Sequence, residues 1–243
     1  MKAPTDLLFA PFLLRHLALA NRIVMAPMTR SFSPGGVPGP DVAAYYRRRA
    51  EGGVGLIITE GTYIPHPVAG FDPKVPHLYG DEALAGWRRV VGEVHQAGGK
   101  IFSQLWHVGT QGGHAGAVGA SASVAEVGTI VRAFGEAAAN AKECGFDGVE
   151  IHGAHGYLVD QFFWEGTNQR SDAYGGDIVA RTRFAVEVAT EVRRRVGAEF
   201  PIALRFSQWK IQNYEAKLTR TPAELEAFLR PLVAAGIDLF HCS

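Results

Sequence analysis

The sequence predicts an α/β fold of the TIM-type (β/α)8 barrel class, with six βα units recognisable, and three observations carry that prediction. Six short apolar runs alternate with amphipathic stretches of helical length. Uncommon polar residues recur where those runs end: Thr29, Gln104, His152 with His155, and Arg205. The first run leads into Pro27-Met28-Thr29-Arg30, without the glycine-rich phosphate turn that a doubly wound sheet carries there. Chemistry placed at the C-terminal ends of several parallel strands is a barrel property.

Each element has a local reason. Residues 23–26 form the first run, and Asp41 is the expected cap of a helix that continues through Glu51 and stops at Gly52-Gly53. Residues 54–59 follow as a strand. Asp81 then opens a helix whose apolar face is Leu84, Trp87, Val91 and Val94, ending at Gly98-Gly99. Further strands are expected at 100–105, 148–151, 202–206 and 237–240, with helices at 126–144 and 178–196. Thr221-Pro222-Ala223-Glu224 reads as a capping box with proline at the first helical position. Such alternation implies right-handed βαβ units and a parallel sheet buried on both faces.

Composition narrows the function. The chain of 243 residues is read as a single domain, 1–243, and its 24 basic and 24 acidic residues balance. A neutral chain has no general attraction for nucleic acid or anionic membrane. Hydrophobic residues at 47% against charged residues at 20% describe a globular protein rather than a disordered one. Two cysteines, Cys144 and Cys242, are too few for a disulfide framework or a cysteine-ligated iron–sulfur cluster. The apolar stretch near the start is broken by Pro11, Arg15 and His16, so no export signal is expected, nor any membrane-spanning helix. A cytoplasmic location is the expectation.

The densest chemical signal lies in residues 148–162, GVEIHGAHGYLVDQF. His152 and His155 flank a glycine-containing turn just after a strand, and Tyr157 follows. Two imidazoles presented together can hydrogen-bond one carbonyl or anionic oxygen, and a neutral phenol can deliver a proton. The bland alternative is one core histidine, one surface histidine and a packing tyrosine; clustering at a strand end weighs against it. A metal site is disfavoured, because the spacing is not i, i+4 and no third ligand joins the pair.

Together with IVMAPMTR at 23–30, QLWH at 104–107 and NQRSDAYGG at 168–176, this segment resembles the Old Yellow Enzyme family. The resemblance runs from about Leu8 to the last residue, with four motifs in order. Members are flavin-dependent ene reductases on a (β/α)8 barrel that holds FMN. The resemblance implies that NAD(P)H reduces the flavin, which passes hydride to an alkene conjugated to a carbonyl or nitro group. It places Pro27, Met28 and Thr29 along the flavin ring, Gly61 where a backbone N–H approaches it, and Gln104 at its pyrimidine edge. Arg205 falls beside the edge where negative charge collects, which a guanidinium would stabilise. His152 and His155 fall on the pair that grips the substrate's activating oxygen, with His152 also bordering the cofactor. Tyr157 falls on the proton donor and Trp106 on a pocket wall.

Two departures qualify the resemblance. After residues 104–107 the chain runs through the glycine- and alanine-rich stretch 111–119, where members carry a longer excursion. The sequence stops at Ser243, just after the sixth run, so the seventh and eighth units have no counterpart. In this fold those units supply the phosphate site. An incomplete sequence, a truncated homologue, or closure by a second chain would each account for this. A chain ending there is expected to hold FMN weakly and to self-associate through its open edge. The rival reading is a flavin-free truncated barrel acting as a binding or interaction protein.

Overall fold

The computed structural model describes residues 4–243. Strands β1 (Phe12–Leu14) and β2 (Leu17–Leu19) form an antiparallel hairpin turning at Arg15, whose φ is 53°. A second sheet contains β3 (Val24–Met25), β4 (Leu56–Tyr63), β5 (Ile101–Trp106), β6 (Gly148–His155), β7 (Ile202–Lys210) and β8 (Leu239–Cys242). These six strands lie side by side in sequence order, every neighbouring pair parallel. A doubly wound sheet reverses direction at a switch point. This one does not, and its order is that of a barrel wall.

Helices α1 (Pro40–Glu51), α2 (Asp81–Gln96), α3 (Val124–Glu143), α5 (Arg183–Val196) and α6 (Pro222–Ala234) occupy the crossovers; α4 (Leu158–Phe163) is a short helix directly after β6. Strands β4 and β5 are buried along their whole length, as expected for a sheet covered on both faces. On the outer face, Trp87, Val91 and Val94 of α2 and the alanine-rich side of α3 join Val188, Ala189 and Val192 of α5 in the main core. On the other face Leu56, Ile58, Phe102 and Ala203, all near strand N-termini, pack against Leu14, Leu17 and Leu19 of the hairpin. The hairpin therefore plugs the N-terminal end of the barrel interior, leaving the C-terminal end for chemistry. The alternation that puts Phe102 inside also puts Gln104 and Trp106 there, and the parallel register pairs Gln104 with Glu150 and His152 with Arg205.

Several local expectations need correction. The N-caps of α1 and α2 are Gly39 and Gly80, not Asp41 and Asp81, which instead sit inside the first turn where their charge complements the helix dipole. Helix α3 starts at Val124 rather than 126, because Ser123 forms a full capping box: its Oγ accepts from Glu126 N (3.3 Å), and the Glu126 carboxylate accepts from Ser123 N (2.8 Å). At α6 the Thr221 hydroxyl caps as expected, but the Glu224 carboxylate accepts from Arg220 N, one residue short of a box. The stretch 178–196 divides into a 3-10 turn, Ala180–Thr182, and α5. Strands β6 and β7 outrun their expected ends, continuing through the polar residues that had marked them. Among the described residues no helix is long and apolar enough to cross a membrane.

Candidate active site

At the C-terminal ends of the strands lies a cleft of about 320 Å³. Pro27 and Thr29 enter it from the segment after β3, Gln104 and Trp106 from β5, His152 and His155 from β6, and Arg205 from β7. Tyr157, from the turn after β6, completes the residues that the sequence had singled out there, and Trp209 of β7 adds a wall. Met28 is not among the residues that line this cleft and is 63% exposed. Gly61 lies beneath the cleft, under the indole of Trp106: a Cβ at Gly61 would come within 2.5 Å of Trp106 Cε3.

The histidine pair owes its geometry to the end of β6. His155 (φ 64°) and Gly156 (φ 84°) are consecutive left-handed residues that turn the chain sharply into α4, with Tyr157 as the capping residue. The rings of His152 and His155 stand perpendicular with centroids 5.5 Å apart, and Tyr157 meets His152 edge-on at 4.9 Å. Trp106 packs edge-on to Tyr157 at 5.0 Å, while Trp209 stacks on His155 at 4.5 Å. Burial pushes the pKa of His152 well below the ordinary imidazole value, helped by repulsion from His155 and Arg205. Burial also takes His155 down to about 4, with Arg205 and Lys210 adding to the shift. Both are neutral at pH 7, so each offers one N–H donor without a charge. Burial raises the Tyr157 hydroxyl, which keeps its proton.

Beneath the pair runs a buried polar chain. Glu150, with no exposed surface, accepts from Gln104 Nε2 (2.8 Å) and from His241 Nδ1 (2.8 Å). Gln104 thus lines the cleft with its amide nitrogen bonded to that carboxylate. The Gln104 backbone N–H donates to the Thr59 hydroxyl (3.1 Å). Arg205 Nη2 donates to Ser243 Oγ (3.0 Å), as His155 Nε2 pairs with the same oxygen (2.9 Å). Burial lowers the Arg205 pKa and the Glu150 carboxylate opposes that effect. Arg205 Nε, His152 Nδ1 and Trp106 Nε1 are buried without a hydrogen-bond partner among the described residues. All three belong to residues that line the cleft, where buried polar atoms without partners call for an explanation.

A profile of the NADH:flavin oxidoreductase / NADH oxidase family matches residues 7–230. The chain belongs to that family, the Old Yellow Enzyme group. It is 40% identical over 231 residues to 12-oxophytodienoate reductase 7 of Oryza sativa subsp. japonica, a match covering 82% of this chain and 58% of the relative. It is 41% identical over 224 residues to the chanoclavine-I aldehyde reductase of Penicillium roqueforti, covering 83% of this chain and 60% of that protein. The chain thus spans about three-fifths of the curated relatives it matches. Among solved structures, morphinone reductase in complex with tetrahydroNAD superposes with a TM-score of 0.85 at 34% identity, covering 97% of this chain and 73% of that one. The barrel fold is that of the family.

The structure also sorts the family-like motifs by what they do here. Arg30 does not reach the cleft; it donates to the buried Glu60 (3.1 Å) and lies over Tyr45, pinning the 27–30 segment to β4. Asn168 donates its amide to the carbonyls of Phe162 (2.7 Å) and Tyr174 (2.8 Å), so the 168–176 loop locks the exit of α4. His107 accepts from Gly109 N through Nδ1 and pairs with His66 at 3.1 Å, away from the cleft. Phe71 is exposed beside His114. Among the described residues no group of His, Cys, Asp and Glu is arranged to hold a metal ion.

Sequence reasoning passed over Glu150, Trp209 and the buried pair Asp160–Lys210. Glu150 stands two residues before His152, so strand alternation would have placed it on the same face. Trp209 and Lys210 fell beyond the expected end of β7, in a segment without apolar periodicity.

Proposed function

We propose that this chain carries an FMN-dependent ene-reductase site, taking hydride from NAD(P)H and delivering it to an alkene conjugated to a carbonyl or nitro group. One observation carries the reading: two neutral imidazoles, a protonated phenol, a guanidinium and a primary amide converge on one cleft at the C-terminal ends of parallel strands. Relatives named for an oxophytodienoate and an aldehyde favour a carbonyl compound as substrate.

The residues fit the ring of the cofactor. Orphaned Arg205 Nε and the Gln104 amide oxygen offer a donor and an acceptor to a planar heterocycle, with Thr29 and Pro27 along its side. Bound FMN supplies a ring that accepts hydride from a nicotinamide and returns it to carbon. His152 and His155 each donate an N–H to the substrate's activating oxygen. Those bonds strengthen as that oxygen gains negative charge, which is the requirement for catalysis rather than mere binding. Tyr157 holds its proton at Oη and releases it to the α-carbon. Arg205 counters negative charge at the cofactor edge, and the Trp106 and Trp209 rings exclude water from the sides.

The test separates the half-reactions. Protein loaded with FMN should turn yellow, develop a long-wavelength band on titration with a para-substituted phenol, and be reduced by NAD(P)H. His152→Ala should abolish most of that band. Tyr157→Phe should leave reduction nearly unchanged and slow enone-dependent reoxidation by about two to four orders of magnitude. A colourless protein that cannot be reconstituted would refute the reading in favour of a flavin-free binding protein.

A further inference from the structure

We infer that the buried pair Asp160–Lys210 is a positioning device that holds the His155–Gly156–Tyr157 turn in its binding geometry; this rests on the reading of that turn as the substrate grip. Both side chains have no exposed surface, and Lys210 Nζ donates to Asp160 Oδ1 at 2.7 Å. The other carboxylate oxygen, Oδ2, accepts from the backbone N–H of Gly156 (2.6 Å), inside the turn. Lys210 also donates to the carbonyl of Ser207 (3.0 Å). The Ser207 hydroxyl in turn accepts from His155 N (2.9 Å) and donates to the carbonyl of Trp209 (2.7 Å), whose indole stacks on His155.

The arrangement joins β7, the turn and α4 through one ion pair. His155 and Lys210 are register partners across β6 and β7, so the cation lies level with the turn it holds. A non-glycine residue at φ 64° is strained and persists only where its surroundings over-determine it. Here the determinants are the two N–H groups of the turn, held by Ser207 and Asp160, and the Gly156 carbonyl, which accepts from Gln111 (2.9 Å) and Gln161 (2.7 Å). A buried ion pair is an inefficient source of stability compared with apolar packing of the same volume. Its return here is rigidity at the one turn that presents both His155 and Tyr157. Burial raises the Asp160 carboxyl to about 6 and lowers the Lys210 ammonium, consistent with groups held in place rather than chosen for comfort.

The test compares Lys210→Met, Asp160→Asn and their double variant with wild type. Amide hydrogen exchange at His155 and Gly156, which needs no flavin, should accelerate at least ten-fold in Lys210→Met while the β5 amides hold. In flavin-loaded protein, para-chlorophenol should bind at least ten-fold more weakly, with flavin affinity changed less than two-fold. Asp160→Asn, whose amide oxygen still accepts from Gly156, should fall between the two. The double variant buries no unpaired charge and supplies the same comparison should Lys210→Met fail to fold. Variants that melt earlier but keep wild-type exchange at the turn and wild-type phenol affinity would overturn the inference. Absence of the phenol band in wild type would instead refute the proposed function, and the exchange data would still decide whether the pair holds the turn.

Discussion

Gly61→Ala tests why a glycine stands under the cleft. Gly61 is a strand residue outside the left-handed region, so alanine meets no backbone objection. The objection is steric: the new Cβ would lie 2.5 Å from Trp106 Cε3 and 2.8 Å from Cδ2, where carbon atoms ordinarily sit about 3.5–4.0 Å apart. The indole must withdraw by about 1 Å to restore that contact. It has little room, being buried between Tyr63 at 5.3 Å and Tyr157 at 5.0 Å. Overpacking of this kind costs about 1–3 kcal/mol. With a urea dependence of about 2 kcal/mol per molar, the unfolding midpoint should fall by about 0.5–1.5 M. Trp106→Ala removes both clashing atoms, so adding Gly61→Ala to that variant should cost little, with a coupling of about 1 kcal/mol or more. Because the displaced indole presses on Tyr157, Gly61→Ala should also weaken phenol binding. A midpoint unchanged within error, together with additive single and double variants, would refute the steric account.

Glu150→Gln should loosen the Gln104 amide by offering it a donor as well as an acceptor, and should weaken binding of unmodified flavin more than of an N3-methylated analogue; equal losses would detach Glu150 from that orientation. Stability should fall as pH drops from about 6.5, because burial keeps His107 (about 3), His155 (about 4) and His152 neutral in the fold while the unfolded chain takes up protons. Each such histidine contributes up to about 1.4 kcal/mol per pH unit until its folded pKa is reached. Asp160, raised to about 6, acts in the opposite sense between pH 6 and 4, so His107→Gln should flatten the urea-midpoint profile rather than abolish its slope. Ser123→Ala should cost about 1 kcal/mol by removing the cap of α3, measured as an earlier thermal midpoint, and Ser123→Asp should retain most of it.

The order and class of the elements were legible because they follow from local patterns. Runs of β-branched residues between glycines announce strands, and helices such as α2 announce themselves by a 3.6-residue stripe. The clustering of His152, His155 and Tyr157 was legible for the same reason, since a strand end and a tight turn bring near neighbours together whatever the rest of the chain does. Tertiary structure alone decided the partners. Glu150 meets Gln104 only because parallel register sets two strands side by side, 46 residues apart in sequence. Lys210 could be recognised as buried only once Asp160, 50 residues away, was found opposite it, since a lone lysine is read as solvated. The resemblance marks Gly61 only as a backbone approach to the cofactor; that the indole of Trp106 lies on it is decided by the tertiary structure. Periodicity records which face a residue takes; which residue it meets across that face depends on register and on charges that must pair once water is gone.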